Sequence, residues 1–354
     1  MTRRLATLDL LRGIAAIAVL CVHFPFAPDG VALAPKGYLA VDLFFMLSGF
    51  VIAQAYGDRL RSRPWFWQFC VTRLIRLWPL YAFASLIGIA VTAAFPAAGQ
   101  DPMKWVSSLI LTALFLPTPA QLSVQPQSLY PFDFAAWSLF WELAVNIVYA
   151  AVAPRLSTRL LAIIVALGLA AIASICIAGY SVDGGANWRG AVFGVVRSSY
   201  GFFAGVALFR IQQRRRAPSL PSFIPACVLI LALFLRPSSA FYDLACLAVV
   251  FPLLIWVSAE ARSGRAAVGP SLLLGYLSYP IYVLHSPLIE LTTQLRGGVG
   301  ALSGVSLPAA LLLYIVSILV IGWIVGRLFD TPVRAWLNRR FTPYKPAPSA
   351  ETAP

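Results

Sequence analysis

Residues 8–24 read LDLLRGIAAIAVLCVHF, and this stretch, with its flank to Phe26, decides the fold. It is an apolar run of helical length that carries a cation near its start, Arg12, and an imidazole near its end, His23. His23 follows Arg12 by eleven residues, about three helical turns, so both side chains share one face, roughly 16 Å apart along the axis. Ionisable groups at membrane depth are costly and normally face a cavity or a partner. Alternatively, Arg12 extends to the interface and pairs with Asp9, and His23 is an interfacial histidine with a structural hydrogen bond.

The composition is that of a membrane protein. Of the 354 residues, 60% are hydrophobic and 11% are charged, which excludes a soluble globular protein of this size. A net charge of +14 would favour nucleic-acid binding in a soluble chain, but here most of the excess lies in short loops, where it sets the orientation of membrane spans. We therefore predict an all-α, polytopic membrane helix bundle that contacts the lipid bilayer and binds no nucleic acid.

Apolar runs place the membrane spans, each of which needs about 20 residues. The runs are 6–26, 38–56, 71–95, 134–153, 160–180, 191–211, 222–236, 240–258, 271–293 and 305–327. A further run at 105–116 is too short to cross comfortably, and we interpret it as a re-entrant or interfacial helix. With about ten spans and both termini cytoplasmic, all but six of the 27 lysines and arginines lie on or near the cytoplasmic side.

The chain is expected to form one integral membrane domain, residues 1–340, followed by a disordered cytoplasmic tail, residues 341–354. We interpret the first run as an uncleaved span, because Asp9 and Arg12 interrupt it and no small-residue cleavage site follows. Five scattered cysteines without CxxC spacing predict neither disulfides nor a metal site. The oligomeric state stays open, with a homo-oligomer as one possibility.

This topology sorts the polar side chains by depth. The outer leaflet receives both histidines and two carboxylates: His23, Asp42, Glu142 and His285. The cytoplasmic face receives three arginines: Arg12, Arg73 and Arg76. Guanidinium groups at an inner mouth can bind phosphates, and an imidazole with a carboxylate can form an acid–base or nucleophilic pair. The pattern predicts a long substrate that is anionic at one end and reactive at the other.

Several of these residues have structural alternatives. The RLIR sequence at 73–76 is also typical of interfacial anchoring, and Asp42 could cap the start of its helix. His285 precedes Ser286 and Pro287, where a helix kink frees carbonyl groups for a structural hydrogen bond. Glu142 lies in mid-span between apolar neighbours, so it needs a partner or a proton.

Six characteristic segments follow one another between residues 8 and 337: LDLLRGIAAIAVLCVHF, VDLFFMLSGFVIA, RLIR, WSLFWELAVN, YLSYPIYVLHSPLI and FDTPVRAWL. Together they resemble the membrane-bound acyltransferase 3 family, whose members O-acylate sugars and other extracytoplasmic acceptors. The resemblance implies a multi-pass protein of the cell inner membrane. It also implies that acyl-CoA, usually acetyl-CoA, is the donor substrate rather than a tightly bound cofactor, and that the acceptor is a carbohydrate.

Residue by residue, the resemblance implies that His23 is the essential histidine and that the three arginines named above contact the donor. We expect Asp42, or as a second choice Glu142, to orient the ring of His23 and stabilise its charged form. His285 and Asp330 are candidates for acceptor binding or support, although the family often carries glutamate at the position of Asp330. We expect no C-terminal extracytoplasmic domain of the kind that many relatives carry, so the bundle alone or with a partner would bind the acceptor.

A membrane transporter or flippase of a lipid-linked sugar is the alternative from a different class. Such proteins also carry intramembrane charge, but they usually show repeat symmetry and paired broken helices. The sequence shows neither feature, which favours the enzyme.

Overall fold

The computed structural model describes residues 2–27, 32–61, 65–96, 99, 101–237, 239–296 and 306–342, which form helices joined by loops. The first helices are α1 Thr2–Val22, α2 Ala40–Tyr56, α3 Trp65–Ala94, α4 Pro102–Ala113, α5 Ala136–Val152, α6 Thr158–Ile177 and α7 Ala191–Arg214. The remainder are α8 Phe223–Phe234, α9 Ala240–Ala245, α10 Phe251–Ser258, α11 Arg265–Arg296, α12 Leu307–Val325 and α13 Thr331–Phe341. Two π-helical turns, Cys246–Val250 and Gly326–Asp330, join α9 to α10 and α12 to α13.

Within these ranges, 8 helical stretches are long and apolar enough to cross a membrane. They are Gly37–Tyr56, Trp65–Ala94, Ala136–Arg155, Thr158–Ile177, Ala191–Arg214, Ala240–Ser258, Arg265–Leu295 and Leu307–Phe341. The 21-residue α1 overlaps the first predicted span, whereas α8 lies within the predicted span 222–236 but has only 12 residues and is itself too short to cross. The prediction of an all-α polytopic membrane bundle is confirmed. The cytoplasmic location of the termini stays a prediction, and the tail predicted at 341–354 lies outside the described residues beyond Thr342.

Helix α4 corresponds to the short apolar run at 105–116. Its 12 residues make a rod of about 18 Å, well short of a hydrocarbon core of about 30 Å. Asp101 caps its first turn by accepting a hydrogen bond from the backbone N–H of Met103 at 2.9 Å. At its other end the indole N–H of Trp78 on α3 donates to the carbonyl of Ala113 at 3.1 Å. The helix is therefore held against α3 rather than extended through the bundle.

Two close helix pairs form the centre of the bundle: α1 against α11, and α2 against α7. A Cβ atom on Gly49 would collide with the carbonyl oxygen of Phe202, and one on Gly205 would collide with that of Met46. Helices α2 and α7 therefore approach more closely than larger side chains would allow, as is common in membrane bundles. In contrast, only 17% of α6 is buried, against 72% of the span that contains α2, so α6 presents its apolar surface outward.

Candidate active site

A cavity of about 240 Å³ lies among α1, α2, α3, α5 and α11. We call it the arginine cavity, because the side chains of Arg12, Arg73 and Arg76 line it. Glu142 is the one acidic residue among the described residues of its lining. The excess of positive charge makes this cavity suited to an anionic group such as a phosphate.

Each arginine of this cavity is held by a different contact. Arg12 lies 3.5 Å from the carboxylate of Asp9, one helical turn earlier on α1. The guanidinium of Arg76 stacks over the ring of Tyr279, with 4.8 Å between its central carbon and the ring centroid. Arg73 donates a hydrogen bond to Glu142 at 3.0 Å. The three cations are thus oriented from three helices, which preorganises the cavity for a large anion.

Glu142 belongs to this cavity, so its position does not support the prediction that it orients His23. Its Oε1 atom accepts hydrogen bonds from Arg73 at 3.0 Å and from the hydroxyl of Ser48 at 2.7 Å. Ser138 and Glu142 lie one turn apart on the same face of α5, and this face lines the arginine cavity. The sequence gives the depth of Glu142 in the membrane but not the rotation of α5 about its own axis. This rotation makes Arg73 the partner of Glu142.

A second cavity of about 260 Å³ lies at the C-terminal end of α1. We call it the histidine cavity, because His23 and His285 both line it. His23 directly follows α1, and its backbone N–H still donates to the carbonyl of Val19 at 3.2 Å, so its side chain continues the helical face that carries Arg12. His23 is exposed and contributes to the lining of this cavity. The predicted separation of Arg12 and His23 therefore corresponds to two cavities, one beside the middle of α1 and one at its C-terminal end.

The imidazole rings of His23 and His285 are neighbours. Their ring centroids lie 5.5 Å apart, with planes inclined at 33°, and the ring of Phe134 contacts both at 5.1 and 5.6 Å. His285 is only 1% exposed, and its Nδ1 atom lies 2.5 Å from the carbonyl oxygen of Tyr282. The structural hydrogen bond considered for His285 is therefore present at one ring nitrogen. Its other nitrogen, Nε2, has no partner among the described residues.

Asp42 is bound by an arginine, so its position does not support the prediction that it orients His23. Arg197 of α7 donates to both carboxylate oxygens, at 2.9 and 2.7 Å. A guanidinium fork occupies both oxygens of a carboxylate, which leaves Asp42 little capacity to bind an imidazole. Sequence reasoning missed this role of Arg197, although an arginine in the apolar run AVFGVVRSSYGFF was a usable signal.

The two cavities share a wall. Val41 and Tyr282 line both of them, and the hydroxyl of Tyr282 lies 2.6 Å from that of Ser138. The arginine cavity and the histidine cavity therefore meet at Val41 and Tyr282.

Comparison with known proteins identifies the family of this chain. Residues 5–327 match the profile of a family described as the acyltransferase domain. The chain belongs to the acyltransferase 3 family. It is 38% identical over 163 residues to protein 2 in the picA locus of Rhizobium radiobacter, which is 42% of this chain and 81% of that protein. It is also 30% identical over 159 residues to acyltransferase MdmB of Streptomyces mycarofaciens, which is 41% of this chain but only 38% of that protein. No solved structure matches the chain significantly.

This protein is therefore a multi-pass membrane acyltransferase, and two further acidic residues can now be placed in it. Asp330 lines neither cavity; it pairs with Arg334 one turn later at 2.7 Å and is 1% exposed. The position of Asp330 therefore gives no evidence for its predicted part in acceptor binding. It is instead consistent with a structural role, because the ion pair with Arg334 stabilises the start of α13.

Asp133, which sequence reasoning missed, lies in the loop before α5 and is 2% exposed. Its Oδ1 atom accepts from the N–H of Ala135 at 3.2 Å, and Oδ2 has no partner among the described residues. Burial raises the pKa of Asp133 to about 7, an effect that the nearby hydroxyl of Ser286 opposes. A buried carboxyl group in this loop of the acyltransferase thus titrates near neutral pH.

Proposed function

We propose that this acyltransferase moves an acyl group, acetyl in the simplest case, from cytoplasmic acyl-CoA to a hydroxyl of an extracytoplasmic or membrane-linked carbohydrate. The observation that carries this proposal is the pair of cavities that share Val41 and Tyr282, one lined by three arginines and the other by His23. In this arrangement the protein spans the cell inner membrane, and the arginine cavity faces the cytoplasm.

The donor enters by its charged end. The phosphates of acyl-CoA bind to Arg12, Arg73 and Arg76, whose guanidinium groups can each form two parallel hydrogen bonds to an oxyanion. The pantetheine arm, which is long and flexible, extends along α1 past Val41 and Tyr282. It delivers the thioester to the ring of His23.

The acceptor enters from the opposite side. The histidine cavity is lined by the aromatic rings of Phe134 and Trp137 and by the polar side chains of Asp183 and Asn187. Aromatic faces with a few polar groups are the usual lining of a small-molecule site, and this combination suits a ring that carries several hydroxyl groups. The mixture supports a saccharide in preference to a purely apolar acceptor.

The reaction then needs one proton to move twice. In the first route, His23 accepts the proton of the acceptor hydroxyl while its oxygen forms a bond to the acyl carbon, the C–S bond breaks, and the proton passes from His23 to the departing sulfur. In the second route, a ring nitrogen of His23 forms a bond to the acyl carbon, the C–S bond breaks, and the proton of the other ring nitrogen passes to the departing sulfur. The acceptor oxygen then forms a bond to the acyl carbon, the N–C bond breaks, and the proton of the acceptor hydroxyl returns to the ring of His23. Both routes require the exposed ring of His23, and both end in free CoA and an acylated acceptor.

The first experiment measures acceptor acylation in proteoliposomes with labelled acetyl-CoA for the wild-type and His23→Ala proteins. The expected result is loss of turnover in His23→Ala while acetyl-CoA still raises its melting temperature, because the arginine cavity is intact. Wild-type turnover in His23→Ala would remove this residue from the chemistry. Labelled enzyme trapped without acceptor would select the acyl-imidazole route.

The second experiment tests the donor site by thermal shift with acetyl-CoA. We expect the stabilisation to disappear when Arg12→Ala and Arg76→Ala are combined, and to persist in the control Arg159→Ala, which removes an exposed arginine at the start of α6 that lines neither cavity. Equal stabilisation of all three proteins would place the CoA site elsewhere. A flippase of a lipid-linked sugar would show no acetyl-CoA stabilisation at all.

A further inference from the structure

We propose that His285 is a positioning residue that orients His23 by accepting a hydrogen bond from its ring N–H. This inference rests on the proposed function, because it concerns the same acyl transfer. It assigns to an imidazole the task that a carboxylate performs in the Ser-His-Asp arrangement.

The carboxylates expected for this task are engaged elsewhere. Asp42 is held at both oxygens by Arg197, and Glu142 is bound to Arg73 in the other cavity. The ring beside His23 is that of His285, with a centroid separation of 5.5 Å. A hydrogen bond between two imidazoles of about 3 Å places their centroids about 5 Å apart. The observed centroid separation is about half an ångström larger than this distance.

The tautomer of His285 favours this role. A carbonyl oxygen only accepts, so the short contact between Nδ1 and the oxygen of Tyr282 places the ring proton on Nδ1. Nε2 then carries a lone pair and can only accept. This nitrogen is buried without a partner among the described residues, a costly arrangement that is typical of groups retained for function.

Neighbouring rings keep the pair in place. Phe134 contacts both imidazoles, and the ring of Tyr282 contacts His285 at 5.6 Å. When His23 takes the acceptor proton, its second N–H becomes that of an imidazolium, and its hydrogen bond to Nε2 strengthens because the donor is now charged. The proton then leaves for the sulfur, so His285 ends the cycle unchanged.

The test compares His285→Leu with His285→Gln in the proteoliposome assay. In His285→Leu we expect kcat to fall about 100-fold, with the KM for acetyl-CoA within about twofold of wild type, because the arginine cavity is untouched. In His285→Gln, whose amide oxygen can accept a hydrogen bond, we expect kcat within about fivefold of wild type. His285→Met, flexible and apolar, replaces the leucine variant if that protein fails to fold.

A merely structural role gives a different pattern. Leucine would then fill the buried site without an unpartnered nitrogen, so the variant would keep wild-type kcat and equal or higher thermal stability. Wild-type kcat in the leucine or methionine variant, or equal loss in the glutamine variant, overturns the inference. If His23→Ala is inactive and His285→Leu is normal, only this inference fails. If His23→Ala is active, the proposed function fails first.

Discussion

Arg197 binds Asp42 through two charge-assisted hydrogen bonds, Nε to Oδ1 at 2.9 Å and Nη2 to Oδ2 at 2.7 Å, which tie α7 to α2. Each residue is 1% exposed. The same guanidinium donates to the carbonyl of Tyr38 at 3.0 Å and to that of Gly184 at 2.7 Å. One arginine thus fixes the chain before α2 and the loop before α7, and both of these segments line the histidine cavity.

The first prediction concerns Asp42→Ala. Removal of Asp42 takes away the carboxylate that binds the buried guanidinium of Arg197 and leaves Asp183 as its nearby counter-charge. Breaking a buried ion pair in this way typically costs about 3–5 kcal/mol. We therefore expect a large drop in the melting temperature of the detergent-solubilised protein and a loss of activity that follows the loss of fold. The measurement is thermal unfolding alongside the acylation assay.

The control is the double variant Asp42→Leu with Arg197→Met, which removes both charges. Replacement of a buried ion pair by apolar residues of similar volume is often neutral, so we expect the double variant to regain much of the lost stability. If Asp42→Ala instead melts like wild type and loses only kcat, Asp42 takes part in the chemistry and our interpretation is wrong.

The helices were largely predictable, because length and apolarity decide them locally. A run of apolar residues such as 38–56 must form a helix in lipid, and α2 occupies Ala40–Tyr56. Likewise, the 12 residues of α4 are too few for a span. The common face of Arg12 and His23 followed from the helical repeat within a single helix.

The partners of the acidic residues were not predictable from the sequence in the same way. The rise per residue gives the depth of Glu142, but the rotation of α5 depends on packing against α2 and α3, and this rotation brings Glu142 to Arg73. Sequence reasoning placed Arg197 away from the cytoplasmic side and assigned it no partner, although its apolar neighbours indicated burial. Asp133 lies in a loop, where no helical repeat predicts which residues meet.

The second prediction concerns Glu142, which we place at the donor site. Glu142→Gln keeps an oxygen that can accept from Ser48 and Arg73 and removes a negative charge from the arginine cavity. We expect turnover within about fivefold of wild type and a KM for acetyl-CoA that does not rise. Glu142→Ala releases Arg73, so its KM should rise. Steady-state kinetics of the two variants decide; loss of kcat in Glu142→Gln at unchanged KM would return this residue to the chemistry.

The third prediction concerns the wall between the cavities. Val41→Phe places a large ring beside Tyr282 at the one position of α2 that lines both cavities, and it should hinder the pantetheine arm. We expect acyl transfer to fall at least about tenfold while acetyl-CoA still stabilises the protein, because the arginines are intact. The control Val41→Ala leaves the passage open and should keep its activity. Equal activity of the two variants would show that the donor reaches His23 by another path.

The fourth prediction concerns Asp133. Burial raises the pKa of this residue to about 7. Between its ordinary pKa of about 4 and this value, the folded protein holds a proton that the unfolded chain has released, so this residue makes stability fall as pH rises through that window and then level off. A pKa shift of this size changes the free energy of unfolding by at most roughly 4 kcal/mol.

The variant Asp133→Asn keeps the oxygen that accepts a hydrogen bond from Ala135 but cannot ionise. We therefore expect Asp133→Asn to melt close to wild type near pH 4 and well above it near pH 8, because only the wild-type protein holds a buried charge there. Other titrating groups cancel in the difference between the two curves, so parallel melting curves across this range would mean that Asp133 stays ionised throughout.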